Sequence, residues 1–187
     1  MILYKFKHIK KTVSRFSGMN NEPKDEVEFY LLKSMWVMML AEFEGIIKDE
    51  IEEYIDKIKL LPIEKIHICL LVQNFYGDSK EQLNVNEILN VYKKNRSDIT
   101  YKNFTKDRKP KNKSHAIESL FNSLGIFFSE EENIIIKKID GITSTRDSIA
   151  HGNSSINITK KELTNSMKIL SNAYYMLSEK LNNFSLS

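Results

Sequence analysis

From residue 22 onward the apolar positions recur at three- and four-residue spacing, the pattern of helices that each bury one stripe. Leu32, Met35/Trp36, Met39, Phe43, Ile46/Ile47, Ile51, Ile55 and Ile58 trace a first long helix of about nine turns. Asn21 ahead of Glu22 and Pro23 predicts its start, because proline suits a first helical turn and acids favour it. Gly45 is where it would break. Pro62 restarts the chain, and Ile63, Ile66, Cys69/Leu70, Gln73 and Tyr76 predict a second helix closing at Gly77. Leu83 to Lys94 gives a weaker third. Ser114 reads as the cap of a helix carrying Ile117, Leu120/Phe121 and Leu124, with Gly125 beyond its end. Ser129 before Glu130, Glu131 and Glu132 opens another, running through Ile135, Ile139, Ile142, Arg146 and Ile149 to Gly152. Thr159-Lys160-Lys161-Glu162 is a capping box. Beyond it Leu163, Met167, Leu170, Tyr174, Leu177 and Leu181 form the seam of a last helix packed lengthwise on others.

Two stretches break this pattern. Near the N-terminus Ile2, Tyr4 and Phe6 alternate with polar residues, which predicts a short strand or an arm. Residues 97–113 lack a helical period and hold Pro110 among lysines, so they read as a basic loop. The expectation is an all-α bundle of five to six helices with a basic loop inserted (97–113). An N-terminal arm (1–21) precedes the helical domain (22–187).

Composition narrows the classes. The chain has 187 residues, 41% hydrophobic and 28% charged, which fits one globular domain and excludes a disordered or collagen-like chain. Its one cysteine, Cys69, excludes an internal disulfide and a multi-thiolate zinc site. The longest apolar run, Met35 to Ala41, falls short of the roughly 20 residues a membrane span needs. The N-terminus has no signal-peptide core, so a soluble, cytoplasmic protein is expected. Charge is unevenly placed. Residues 1–18 carry +5, residues 22–57 carry −7 and residues 96–113 carry +5. This predicts a basic surface turned toward an anion, a phosphate backbone being one candidate.

One run could carry chemistry, Arg146-Asp147-Ser148-Ile149-Ala150-His151-Gly152 at the end of an amphipathic helix. Arginine offers a permanent cation with a rigid fork of donors, and imidazole is the side chain that exchanges protons near neutral pH. Five residues at 100° each set the two side chains about 140° apart around the axis. They converge only if the arginine reaches around or the histidine sits on an unwinding last turn, which Gly152 favours.

The string Ile139-Asp140-Gly141-Ile142 followed by Arg146 to Gly152 resembles the catalytic helix of HEPN-superfamily ribonucleases, closest to the RiboL-PSP branch. Ala41-Glu42-Phe43-Glu44-Gly45 and Leu120-Phe121-Asn122-Ser123-Leu124-Gly125-Ile126 fit the same resemblance, which covers roughly residues 24–182. It implies an all-α fold and metal-independent RNA cleavage, with no cofactor and an active site shared across a homodimer. The RNA 2′-hydroxyl would attack its own phosphate, leaving a 2′,3′-cyclic phosphate. His151 would move protons and Arg146 would meet the developing charge. Asp147 stands where the family often has asparagine and could orient the pair or neutralise Arg146. Glu44, on a helix the resemblance sets beside the catalytic one, could orient either residue. Members of one toxin branch carry a tyrosine two residues after the histidine, which a partner adenylylates; Asn153 stands there, so that control is not expected. A toxin or phage-defence role, with an antitoxin partner, belongs to the same implication.

Secondary RNA contacts are expected from Ser148 and Asn153. Lys102, Lys106, Arg108, Lys109, Lys111 and Lys113, interleaved with Tyr101 and Phe104, could bind a single strand by stacking and phosphate contact. A non-catalytic module of the same fold that binds RNA, nucleotide or protein is the competing expectation.

Overall fold

The computed structural model of the chain describes residues 3–16, 21–58, 60, 113–124 and 126–184. Five α-helices lie among them, numbered here α1 (Lys7–Val13), α2 (Glu26–Ile58), α3 (Ser114–Ser123), α4 (Glu130–Ala150) and α5 (Lys160–Phe184). No described residue is in a strand, and the all-α class read from the sequence holds. The helices expected over 62–77 and 83–94, and the basic loop up to residue 112, lie outside the described residues.

Helix α2 is the spine. Its 33 residues give a rod about 50 Å long. It runs unbroken through Gly45, where one interior glycine costs too little to interrupt so long a packed helix. Its start is also shifted from the expected one. Asp25 caps it, accepting the Glu28 amide on Oδ1 at 2.8 Å, while Glu28 Oε2 accepts the Lys24 amide at 3.0 Å. Asn21 sits instead in the left-handed region at φ +67°, a conformation asparagine tolerates better than most residues and one that no helix continues from.

The N-terminal segment is helical rather than a strand or an arm. Tyr4–Phe6 form a 3-10 turn leading into α1. Leu3, Phe6, Ile9 and Val13 are buried while Tyr4 is exposed, so the governing period is three to four, not two. The Leu3 amide donates to Ser171 Oγ on α5 at 2.9 Å, tying the segment down at its first described residue.

Helix α5 lies along α2, α4 packs on both, α3 lies on α4, and α1 rests on α2. Phe6, Leu32, Met39, Leu40, Phe43, Ile51, Ile55 and Phe121 are the largest fully buried side chains of the shared core. The α5 seam is as expected: Leu163, Met167, Leu170, Leu177 and Leu181 are buried. Tyr174 at its margin donates to Glu50 Oε1 at 2.6 Å. The capping box expected at Thr159 forms, and Ser129 with Glu132 makes a second one. Glu132 bonds back to the Ser129 amide at 2.7 Å, and Glu162 to the Thr159 amide at 2.8 Å.

Helix α3 departs from expectation in its cap. Ser114 is its first residue, and Lys113 holds the cap position with no side-chain bond. The acceptor comes from α4: Asp140 takes the Ser114 amide at 2.7 Å and the Ser114 hydroxyl at 2.6 Å. An anion at a helix N-terminus meets unpaired amides and a favourable dipole, and here it also fixes α3 on α4.

Candidate active site at the end of α4

The last two turns of α4 are anchored from α2. Trp36 Nε1 donates to the Ile142 carbonyl at 3.0 Å, which is also the acceptor that the helical i→i−4 pattern assigns to the Arg146 amide. The backbone beneath the arginine is therefore held from two directions. Met35 and Met39 bury beside Trp36, whereas Met38 is exposed.

Two carboxylates then share the Arg146 guanidinium. Its Nη2 lies 3.5 Å from Glu44 Oε1 on α2, and its Nη1 lies 3.4 Å from Asp147 Oδ1 on its own helix. Arg146 is 32% exposed and each carboxylate 38%. Pairs this open contribute only about 0–1 kcal/mol to stability, so they aim the guanidinium more than they hold the fold. The contacts are long ion pairs at Nη1 and Nη2, and a fork of five N–H donors keeps capacity for an incoming anion.

His151 is the C-cap of α4, at φ −83° and ψ 10°, and its amide donates to the Asp147 carbonyl at 2.9 Å. Its side chain is exposed. The chain then closes in a Schellman turn: Gly152 donates to Ile149 O at 3.0 Å and Asn153 to Ser148 O at 3.1 Å. Gly152 sits at φ +76°, where any Cβ is strained. The histidine thus leaves the helix on a fixed backbone, about 7.5 Å along the axis from Arg146.

The remaining expected contacts fare differently. Ser148 is half-buried and its carbonyl is spent on the turn. Asn153 Oδ1 accepts both the Ser155 amide at 3.0 Å and the Ser155 hydroxyl at 2.6 Å, so its side chain shapes the loop. Lys113 is exposed beside α3. Lys102, Lys106, Arg108, Lys109 and Lys111 lie outside the described residues. Among the described residues no three His, Cys, Asp or Glu side chains come together as metal ligands would.

One neighbour was missed. Lys33 on α2 is buried, its Nζ 4.2 Å above the Phe29 ring and 3.4 Å from the Asn153 carbonyl. The i,i+4 spacing of Phe29 and Lys33 was the available signal, lost among the other lysines of an acidic segment. Lys33 lines a groove of about 460 Å³ between α2 and the α4–α5 turn, together with Tyr30, Val37, Ile149, Gly152 and Asn153.

The bundle thus brings an arginine flanked by two carboxylates and an exposed histidine to the end of one helix. The sequence model of the RiboL-PSP-HEPN family matches residues 4–183, nearly the whole chain, and the chain belongs to that family. No curated protein and no solved structure matches it. Membership indicates an RNase-type or nucleotide-related function. No helix among the described residues is long and apolar enough to cross a membrane.

Proposed function

We propose that the protein is a metal-independent endoribonuclease acting as a homodimer, with Arg146 and His151 as its catalytic pair. The observation that carries this reading is the Arg146 fork, aimed by Glu44 and Asp147 yet open to solvent, one and a half turns before an exposed His151. RNA brings its own nucleophile. The 2′-oxygen forms a bond to phosphorus, its proton passes to an imidazole, and the P–O5′ bond breaks as the 5′-oxygen takes a proton. The products are a 2′,3′-cyclic phosphate and a 5′-hydroxyl. Arg146 meets the charge that builds on the non-bridging oxygens.

A single copy offers one imidazole where the reaction uses a base and an acid, and a two-fold dimer supplies both. Helix α2 supports that assembly. Opposite its core stripe it exposes Val27, Leu31 and Met38, followed by the exposed small residues Ala41 and Gly45. An apolar helix face in water calls for a cover, and this one borders the face that holds Glu44. A growth-arresting or phage-defence role, restrained by an antitoxin, is the physiological setting the family resemblance favours.

The test is cleavage of single-stranded RNA in EDTA by the wild type, Arg146→Ala and His151→Ala. Each variant should lose at least tens-fold, since acid–base help alone supplies about 10²–10⁴. Unimpaired cutting by both variants refutes the assignment. One observation favours the alternative of a non-catalytic RNA- or nucleotide-binding module: two carboxylates already occupy Arg146. Dimers that bind RNA with a salt-dependent affinity and never cut it would establish that alternative.

A further inference from the structure

Lys33 has a charge that its surroundings do not balance. The residue is 8% exposed, yet among the described residues its ammonium meets no carboxylate. Its contacts there are the Phe29 ring face and one long bond to the Asn153 carbonyl. An ammonium carries three donors, and a buried charge without a counter-ion is expensive unless something else supplies one. Lys33 lines the groove between α2 and the α4–α5 turn, whose volume of about 460 Å³ is in the range of small-molecule sites. Tyr30, more than half exposed, stands on the groove's wall, edge-on to Phe29 with ring centres 5.4 Å apart. The opposite wall is Gly152, Asn153 and Ser154, the residues that directly follow His151. A cation beside an accessible aromatic face is the equipment for a nucleotide, the phosphate meeting the charge and the base meeting the ring. At 100° per residue Lys33, Val37 and Glu44 also fall within about 40° of one another on α2. The groove and the Arg146 pair are thus on one face.

We propose that this groove is a subsite for the RNA strand beside the scissile linkage. In it Lys33 contacts a phosphate further along the strand from the one that is cut, and the Tyr30 ring stacks a base. The assignment rests on the ribonuclease reading for what it calls scissile, but the binding it asserts is measurable without cleavage.

The experiment uses the full chain carrying His151→Ala and a short fluorescein-labelled oligouridylate, with anisotropy titrations at several salt concentrations. Adding Lys33→Met should weaken binding about tenfold and flatten the salt slope by about 0.7, the value of one lost single-strand phosphate contact. Adding Tyr30→Ala should weaken it about tenfold, whereas Tyr30→Phe should stay within twofold. Lys33→Gln, checked for helicity and melting, guards against a packing defect in the methionine variant. Unchanged affinity and slope in both Lys33 variants overturn the subsite. So does a change in sedimentation without a change in RNA affinity, which would give the groove to a second copy of the chain. Absence of RNA binding by the His151→Ala protein overturns it as well. If the wild type cuts nothing while Lys33→Met shifts the slope, the nuclease reading fails and the subsite stands. If the wild type cuts and its KM ignores Lys33→Met, the reverse holds.

Discussion

Replacing Glu44 separates the two effects of a carboxylate beside the arginine. Glu44→Gln keeps the shape and a hydrogen-bond acceptor at 3.5 Å from Nη2 but removes the charge, whereas Glu44→Ala removes both. A phosphate docked on Arg146 would lie roughly 6 Å from the Glu44 carboxylate. There the repulsion is about 0.7 kcal/mol in a water-like medium and about twice that at half the dielectric constant. Relieving it should tighten substrate binding about three- to tenfold. The glutamine still aims the guanidinium, so kcat should stay within about threefold of the wild type. With alanine the fork loses one of its two guides and keeps only Asp147, and misplacement by about 1 Å costs on the order of 10²-fold. An at least tenfold fall in kcat is expected. Neither variant should shift the melting temperature by more than about 3 °C, because so open a pair holds little stability. The assay is steady-state cleavage of a fluorogenic oligoribonucleotide, with kcat and KM resolved. An unchanged kcat for Glu44→Ala would show that Glu44 does not position Arg146, and a raised KM for Glu44→Gln would refute the repulsion argument.

Four further outcomes follow from the packing. Asp140→Ala removes two bonds to a carboxylate at 2.7 and 2.6 Å and should cost about 2–3 kcal/mol, lowering the melting temperature by about 5–10 °C with Asp140→Asn intermediate. Met38→Glu puts a charge into the exposed α2 stripe; it should sediment as a monomer with wild-type helicity and cut RNA at least tenfold more slowly, and a dimeric, fully active variant would remove the stripe from the interface. Gly45→Ala adds a methyl group that meets nothing within 4 Å and should raise stability by about 0.5–1 kcal/mol, read as a melting shift of about 2–3 °C. Burial, and then the Glu50 carboxylate that accepts its hydrogen bond, push the Tyr174 phenol from 10 to about 12. The folded state therefore favours the neutral phenol, a contribution fully present below pH 10 and lost as pH rises toward 12. Tyr174→Phe should flatten that alkaline loss in denaturant titrations.

Local signals in the sequence were read correctly where the partners are local. Ser129 with Glu132 and Thr159 with Glu162 lie three residues apart, so both helix starts were visible, as was the α5 seam from Leu163 to Leu181. The errors came where tertiary contacts decide. Ile2, Tyr4 and Phe6 span too few residues to separate period two from period three, and burial of Leu3, Phe6, Ile9 and Val13 on the core chose the helix. Ser114 looked like a cap because serine often is one, but the acceptor is Asp140, 26 residues away. Asn21 and Pro23 point to an earlier start of α2, but the carboxylate that accepts the Glu28 amide belongs to Asp25. At the site, Arg146, Asp147 and His151 were legible as a run and Glu44 through the family resemblance. Lys33 was not, since its i,i+4 spacing from Phe29 marks a cation–ring pair on α2 without telling that the pair faces the turn after His151.

The unbroken course of α2 through Gly45 has a geometric consequence. Lys33 and Glu44 ride on one stiff rod, eleven residues or about 16 Å apart along its axis, so thermal motion cannot readily alter their separation. A strand gripped at one end and cut near the other would be gauged by that fixed interval, as by a ruler. Fragments too short to reach both marks would slip from the protein instead of being trimmed further.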